Sequence, residues 1–364
     1  MTLNSTTVGW MPEPQARGTI GLVWSCLATI FICTWSALHL NLPGQRDSAF
    51  TRAKEQAGYV LLGLFAPEWL TFFALKELEC AMQLRRRCPA WSLKRCFFLN
   101  MGGIVIRREA WNHGRLEPLE LIKLFEDGAI AWPELEDIDI DDRAQSDQLV
   151  KGIALGQLVW FIAQLLGRLR NGLAVTTLEL FALSNVLCTV ITYLAWWHKP
   201  NGVRAPIIID GVYPPETTAW RMFEIGSNVS SGKSKGTIAS VFVGIGFGAL
   251  HLVGWDFHFP SEIERLLWRI SSVGVTVTSV FLPALAFQEF LVEAEDKSKN
   301  TWLRYFAQKI MPSTRLGGLL VSVTFVVYGI FRLYMFVEMF VGFRNTHLSV
   351  YTTVQWTQYL PSLG

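Results

Sequence analysis

The amino-acid sequence predicts an all-α, polytopic integral membrane protein of about seven transmembrane helices, N-terminus cytosolic and C-terminus outside. Three observations carry that expectation. Of its 364 residues, 51% are hydrophobic and only 17% charged, a balance that soluble globular chains seldom show. The apolar residues fall in runs close to the roughly 20 residues a helix needs to cross a hydrocarbon core about 30 Å thick. Lys and Arg, finally, are distributed unevenly among the segments between those runs.

The first run, Thr19–Leu40, follows a polar start containing Pro12, Pro14 and Arg17 and is long enough to span, so it reads as a helix rather than a cleaved signal. The second is Ala57–Leu78. The third, Gly152–Leu166, is short for a span and runs into Arg168 and Arg170, which predicts a tilted helix or a tight hairpin with the fourth, Leu173–Trp197. Thr237–Trp255, Leu266–Phe287 and Leu316–Val341 complete the set. Cys96–Ile106 is apolar but short and bracketed by Lys94, Arg95, Arg107 and Arg108, so it reads as an interfacial or re-entrant piece. With the N-terminus cytosolic, the inner segments hold 21 Lys and Arg and the outer ones 7. The domain reading is one membrane domain over 1–364, with 80–150 a cytosolic amphipathic insertion between spans two and three. That insertion opens on the basic run Arg85–Arg87 and closes on the acidic run from Glu134 to Asp142, a solvated linker by composition. In this arrangement the sequons at Asn4 and Asn228 are cytosolic and unglycosylated.

Several function classes drop out. A net charge of +2 gives no whole-chain attraction for nucleic acid. The six cysteines lack metal-ligand spacing, and three lie in apolar runs, against a disulfide framework. Gly226–Ser234 resembles a phosphate loop but has five residues between its glycines where that motif has four, and no strand precedes it. Asp139, Asp141 and Asp142 are too closely spaced for a magnesium-diphosphate site. No metal or other cofactor is expected.

Ionisable groups inside spans are the informative residues, because charge at membrane depth costs a few kcal/mol and persists where it is used or paired. Glu68, Glu179, Asp256 and Glu338 are the candidate catalytic acids; the expected topology gathers most of these groups toward one leaflet. A carboxylic acid held in an apolar pocket keeps its proton at neutral pH and can donate it. His39, His251, Arg269 and Arg332 are candidates to tune or pair those acids, while Trp35, Trp69 and Trp255 could stabilise a developing cation through their ring faces. The competing reading is structural: arginines neutralising Glu179 or Glu338, and tryptophans anchoring the interface.

Several stretches together carry a resemblance: Arg17-Gly18-Thr19, Trp24-Ser25-Cys26-Leu27, His39-Leu40-Asn41-Leu42-Pro43, Ala66-Pro67-Glu68, Leu178-Glu179-Leu180, Trp196-Trp197, Gly254-Trp255-Asp256-Phe257, Leu267-Trp268-Arg269, Arg332-Leu333-Tyr334 and Glu338-Met339-Phe340. With these the chain resembles a family of fungal multi-pass membrane proteins, and within it the integral-membrane terpene cyclases of meroterpenoid pathways, of the macrophorin and ascofuranone type. The resemblance implies an isomerase of secondary metabolism in the endoplasmic reticulum membrane. Such an enzyme protonates a terminal alkene or epoxide on a farnesyl chain and closes rings without ionising a diphosphate. Its partners would be a hydrophobic prenylated small molecule and the lipid bilayer. The alternative is a non-enzymatic transporter, lipid-binding protein or receptor.

Overall fold

The computed structural model describes residues 16–42, 48–108, 112–114, 118–144, 148–203, 205–210, 235–297 and 314–356. The Gly226–Ser234 loop and both sequons lie outside them. Helix α1 (Thr19–Ala37) is followed by α2 (Ala49–Phe65), which begins where the Ser48 hydroxyl accepts the Thr51 amide at 3.1 Å. α3 (Pro67–Arg87) opens on a proline, whose missing N–H costs nothing at a first helical position. The two helices meet at Ala66 with a bend of 115°. Then come α4 (Leu93–Asn100), β1 (Ile104–Arg108), β2 (Asn112–Gly114), α5 (Pro118–Glu126) and α6 (Asp137–Asp141). The long helices resume with α7 (Gln148–Arg170) and α8 (Thr177–Ala195); after β3 (Ile207–Asp210) follow α9 (Lys235–Leu252), α10 (Glu262–Lys297) and α11 (Thr314–Val341).

Among the described residues, five helices are long and apolar enough to cross a membrane: those over Thr19–Ala37, Gly152–Arg170, Thr177–Ala195, Ile238–Asp256 and Ser322–Arg344. The third run is therefore a full-length helix, not a short one, because Arg168 is accommodated inside the bundle instead of ending it. Leu266–Phe287 falls within α10, whose side chains are described as far as Val280.

The second run departs most from expectation. Ala57–Leu78 is not one helix, since Ala66-Pro67 breaks it. Both arms of the break lead to the same end of the bundle. Leu42, after α1, donates its amide to the Met101 carbonyl at 3.1 Å, and only 43–47 separate it from the start of α2. Tyr59 and Val60 of α2 pack on the same hydrophobic cluster as Ala74, Ala81 and Leu84 of α3. The pair is thus sharply bent at Ala66, and both of its arms touch the same hydrophobic cluster.

That end carries a small α/β unit. β1 pairs antiparallel with β2 (Ile106 opposite Gly114) and parallel with β3 (Ile104 opposite Ile207), in the order β2-β1-β3. Cys96–Ile106, expected at an interface, instead supplies its core: Cys96, Phe97, Phe98 and Ile106 are almost wholly buried with Leu121, Ile122 and Phe125. A strand from beyond α8 completes the sheet, so the unit is larger than 80–150.

At the opposite, hairpin end, Ala16 forms a β-bridge with Thr352 and Arg17 donates its amide to the Tyr351 carbonyl at 2.7 Å. The segments before α1 and after α11 therefore share one face of the bundle. Seven crossings would put them on opposite faces; among the described residues five helices, or six with the bent α2–α3 pair taken as one span, are long and apolar enough to cross.

Tight glycine contacts set the interior. A Cβ on Gly244 would lie 2.7 Å from the Ser279 carbonyl oxygen, and one on Gly248 2.6 Å from the Thr276 Cα. This four-residue glycine spacing lets α9 and α10 approach backbone to backbone, which brings Ser279 to the centre of the molecule.

Candidate functional site

The break at Ala66 leaves backbone groups without helical partners in the bundle interior, where each must be satisfied. Arg332 of α11 answers one: its Nε donates to the Phe65 carbonyl at 2.6 Å. Its guanidinium is held between the rings of Phe181 and Phe247, 4.8 Å from each centroid. Nη1 lies 3.5 Å from His251 Nε2, and His251 Nδ1 contacts the Phe247 carbonyl at 2.8 Å. With Nδ1 as donor, that contact leaves Nε2 as an acceptor facing the arginine.

Glu68 occupies the first turn of α3, where the helix dipole favours a carboxylate. Tyr328, one turn before Arg332 on α11, donates its hydroxyl to Glu68 Oε1, and the Ser279 hydroxyl donates to the same oxygen at 3.4 Å. Oε2 is buried with no hydrogen-bond partner, and so is Arg332 Nη2. The two side chains interact electrostatically without forming an ion pair at contact distance. A carboxylate oxygen and a guanidinium nitrogen, both unsatisfied and buried, form an arrangement that can hold a polar group or pass a proton. Packed with Ala66 and Tyr328 are Trp69, Phe247, Trp268 and Phe331.

The remaining predicted residues do not join this cluster. Glu179 completes a capping box: Oε2 accepts the Thr176 amide at 2.8 Å and hydroxyl at 3.0 Å, while Oε1 faces Arg17 at 2.8 Å and Arg168 at 3.8 Å. Every contact of that carboxylate is structural. Asp256 is exposed and pairs with Arg269 at 2.9 Å, and Arg269 lies over the Trp255 ring at 5.0 Å, an outer corner of the molecule. Glu338 is buried beside Tyr334, whose hydroxyl is 3.4 Å from Oε2. Trp35 is 46% exposed and stacks on Phe31, as a membrane-facing residue does. His39 sits at the sheet end against Tyr193 and Trp196. The expected convergence thus resolves into separate places, and only Glu68, Trp69, His251 and Arg332 share one.

Sequence reasoning missed Tyr328 and Ser279 because hydroxyls carry no charge signal; the four-residue spacing of Tyr328 and Arg332 is the one clue available. It also missed the buried pair of Glu77 and Lys199, 2.6 Å apart, with Trp196 Nε1 donating to the same Glu77 oxygen at 2.7 Å. Among the described residues no group of three His, Cys, Asp or Glu is placed to hold a metal ion. All six cysteines are free and buried.

A helical bundle with membrane-length apolar helices and a buried acid at a broken-helix apex defines the class: a multi-pass helical membrane protein. The chain belongs to DUF8562, a family of unknown function, whose model matches residues 2–88, 74–239 and 222–363. No curated protein and no solved structure matches it.

Proposed function

We propose that the protein is a membrane-embedded, cofactor-free terpenoid cyclase with Glu68 as its Brønsted acid. The observation that carries this reading is the buried Glu68 carboxyl, fixed through Oε1 by Tyr328 and Ser279, with Oε2 free and aromatic rings packed around it. Oε2 delivers a proton to the terminal alkene or epoxide of a farnesyl chain attached to an aromatic or cyclohexenone head. Positive charge then develops on carbon, aromatic faces stabilise it, and the chain's own alkenes attack in turn. Loss of a proton from the last cation gives a cyclic isomer of unchanged mass. A site closed to water protects the cation from quenching, and the substrate reaches it laterally from lipid.

In this reading six helices cross the membrane, α1, α7, α8, α9, α10 and α11, and α2–α3 is re-entrant. The three segments then assigned to the sheet end, 41–150, 198–235 and 288–315, hold 24 Lys and Arg against 5 for the four at the hairpin end. The positive-inside rule makes the sheet end cytosolic and the hairpin end luminal, in the endoplasmic reticulum.

The test is a microsomal assay in a yeast host supplied separately with a farnesylated phenol and its terminal epoxide. The expected result is a cyclic isomer formed by the wild type and lost by about 100-fold or more in Glu68→Gln, the scale of removing a general acid. Full product formation by folded Glu68→Gln overturns the assignment.

One observation favours a second reading. Half-helix termini meeting at an ionisable group inside a bundle are how secondary transporters build ion and substrate sites. Uptake that depends on Glu68, with no isomerisation of either terpenoid, would establish it.

A further inference from the structure

At the hairpin end, away from Glu68, a cavity of about 320 Å³ opens between α1, α7 and the segment after α11. Its lining is amphipathic, and Arg17, Arg168 and Glu179 together give it one net positive charge. From Gly21 to Thr29 the α1 wall descends about 12 Å at the rise of a helix. Gln157 reaches across from α7 to donate to Thr29 Oγ1 at 2.8 Å. Trp160 and Trp356 lie against each other with centroids 5.4 Å apart on the other side, above Phe161 and Leu165.

The charged groups differ in what they have left to offer. Arg168 is consumed by structure: it donates to the carbonyls of Ala174, Ser349 and Thr352. Glu179 has both oxygens engaged. Arg17 spends Nε on the Val350 carbonyl at 2.7 Å and Nη1 on Glu179, whereas Nη2 is buried without a hydrogen-bond acceptor. A buried guanidinium donor left open is costly unless something accepts from it. The cavity offers room for that acceptor, together with an apolar lining for what is attached to it.

We propose that this cavity binds a single-chain amphiphile through an oxyanion head, carboxylate or phosphate, that accepts from Arg17 Nη2 while its chain lies between α1 and α7. Net positive charge in the lining selects the anion, and the volume falls within the range of small-ligand sites. The site is independent of the chemistry at Glu68.

The test uses the full chain in phosphatidylcholine nanodiscs, with binding of laurate, lauryl phosphate, lauryl alcohol and inorganic phosphate measured by native mass spectrometry. One laurate or lauryl phosphate per chain is expected, with the alcohol weaker by about tenfold, the effect of one charge-assisted hydrogen bond. The tighter of the two anions identifies the head group. Arg17→Gln should bring the anions down to the alcohol. Because Arg17 also supports Glu179, Gly21→Leu is the second variant: a Cβ there meets nothing within 4 Å, so leucine fills the cavity and is a better helix former. It should abolish binding of both anions and the alcohol, while Glu68→Gln leaves binding intact. Equal affinity for laurate and lauryl alcohol, or unchanged binding in Gly21→Leu, would overturn the proposal. Inorganic phosphate binding as tightly as lauryl phosphate would overturn the amphiphile.

Discussion

Replacing Lys199 with methionine isolates what a buried charge costs this fold. Lys199 and Glu77 are both buried, with Nζ 2.6 Å from Oε2, and the ammonium also lies 4.7 Å from the Trp196 ring centroid. Lys199→Met keeps the length of the stem but leaves the Glu77 carboxylate buried without its cation. Removing one partner of such a pair costs about 3–5 kcal/mol. Trp196 Nε1 still donates to Oε2, and Asn41 Nδ2 lies 3.4 Å from Oε1, which sets the expected loss near the lower figure, about 3 kcal/mol. At about 2–4 °C per kcal/mol, thermal unfolding in detergent should fall by roughly 6–12 °C. The double variant Glu77→Gln, Lys199→Met removes both charges and retains an oxygen for Trp196. It should recover most of the loss, with a coupling energy of about 2 kcal/mol. Strictly additive losses, or a single variant within about 1 °C of wild type, would refute the reading of Glu77 and Lys199 as a coupled buried pair.

Other outcomes follow from the same geometry. In the proposed orientation, with the hairpin end luminal, the Asn4 sequon acquires a glycan in yeast microsomes; an endoglycosidase mobility shift lost in Asn4→Gln but kept in Asn228→Gln is expected, and its absence would reverse the orientation. Glu179→Gln should lower the melting temperature by several degrees, because it weakens a cap and leaves Arg168 buried beside a neutral group; a folded variant with selectively lost activity would return Glu179 to the catalytic candidates. Gly248→Ala should destabilise by about 1–3 kcal/mol in a chemical-denaturation series, since the contact is with the Thr276 backbone and α9 must move away from α10. Partial burial works to raise the Asp137 carboxyl, but hydrogen bonds from Ser92 at 2.6 Å and Arg95 at 2.8 Å hold it below its ordinary value of 3.8. A depressed carboxylate stabilises the fold above that value and loses the contribution as pH falls through the folded one, so Asp137→Asn should flatten the acid limb of the unfolding curve below about pH 4.

The chain by itself determined its solvent. Long apolar runs are a one-dimensional property, because in lipid each helix satisfies its own backbone and needs no partner to declare itself. That is why α1, α7, α8, α9 and α11 were legible, and why Glu68, His251 and Arg332 stood out as charges an apolar segment must use or pair. Hydropathy does not register direction: Ala57–Leu78 averages to a span whether the chain runs straight or bends, and only the tertiary structure shows the 115° bend at Ala66. The same holds for the α/β unit, where Cys96–Ile106 reads as interfacial until a strand about 100 residues further on, Ile207–Asp210, pairs with it. Charges were likewise visible and their partners were not. Glu68 and Glu179 look alike in sequence, each an acid in an apolar stretch, but one meets Tyr328 and Ser279 with an oxygen to spare and the other is saturated by Thr176, Arg17 and Arg168. The partners of Glu68 lie more than 200 residues away and are brought in by helix packing, whereas Glu179 is met by Thr176 three residues before it as well as by the distant Arg17.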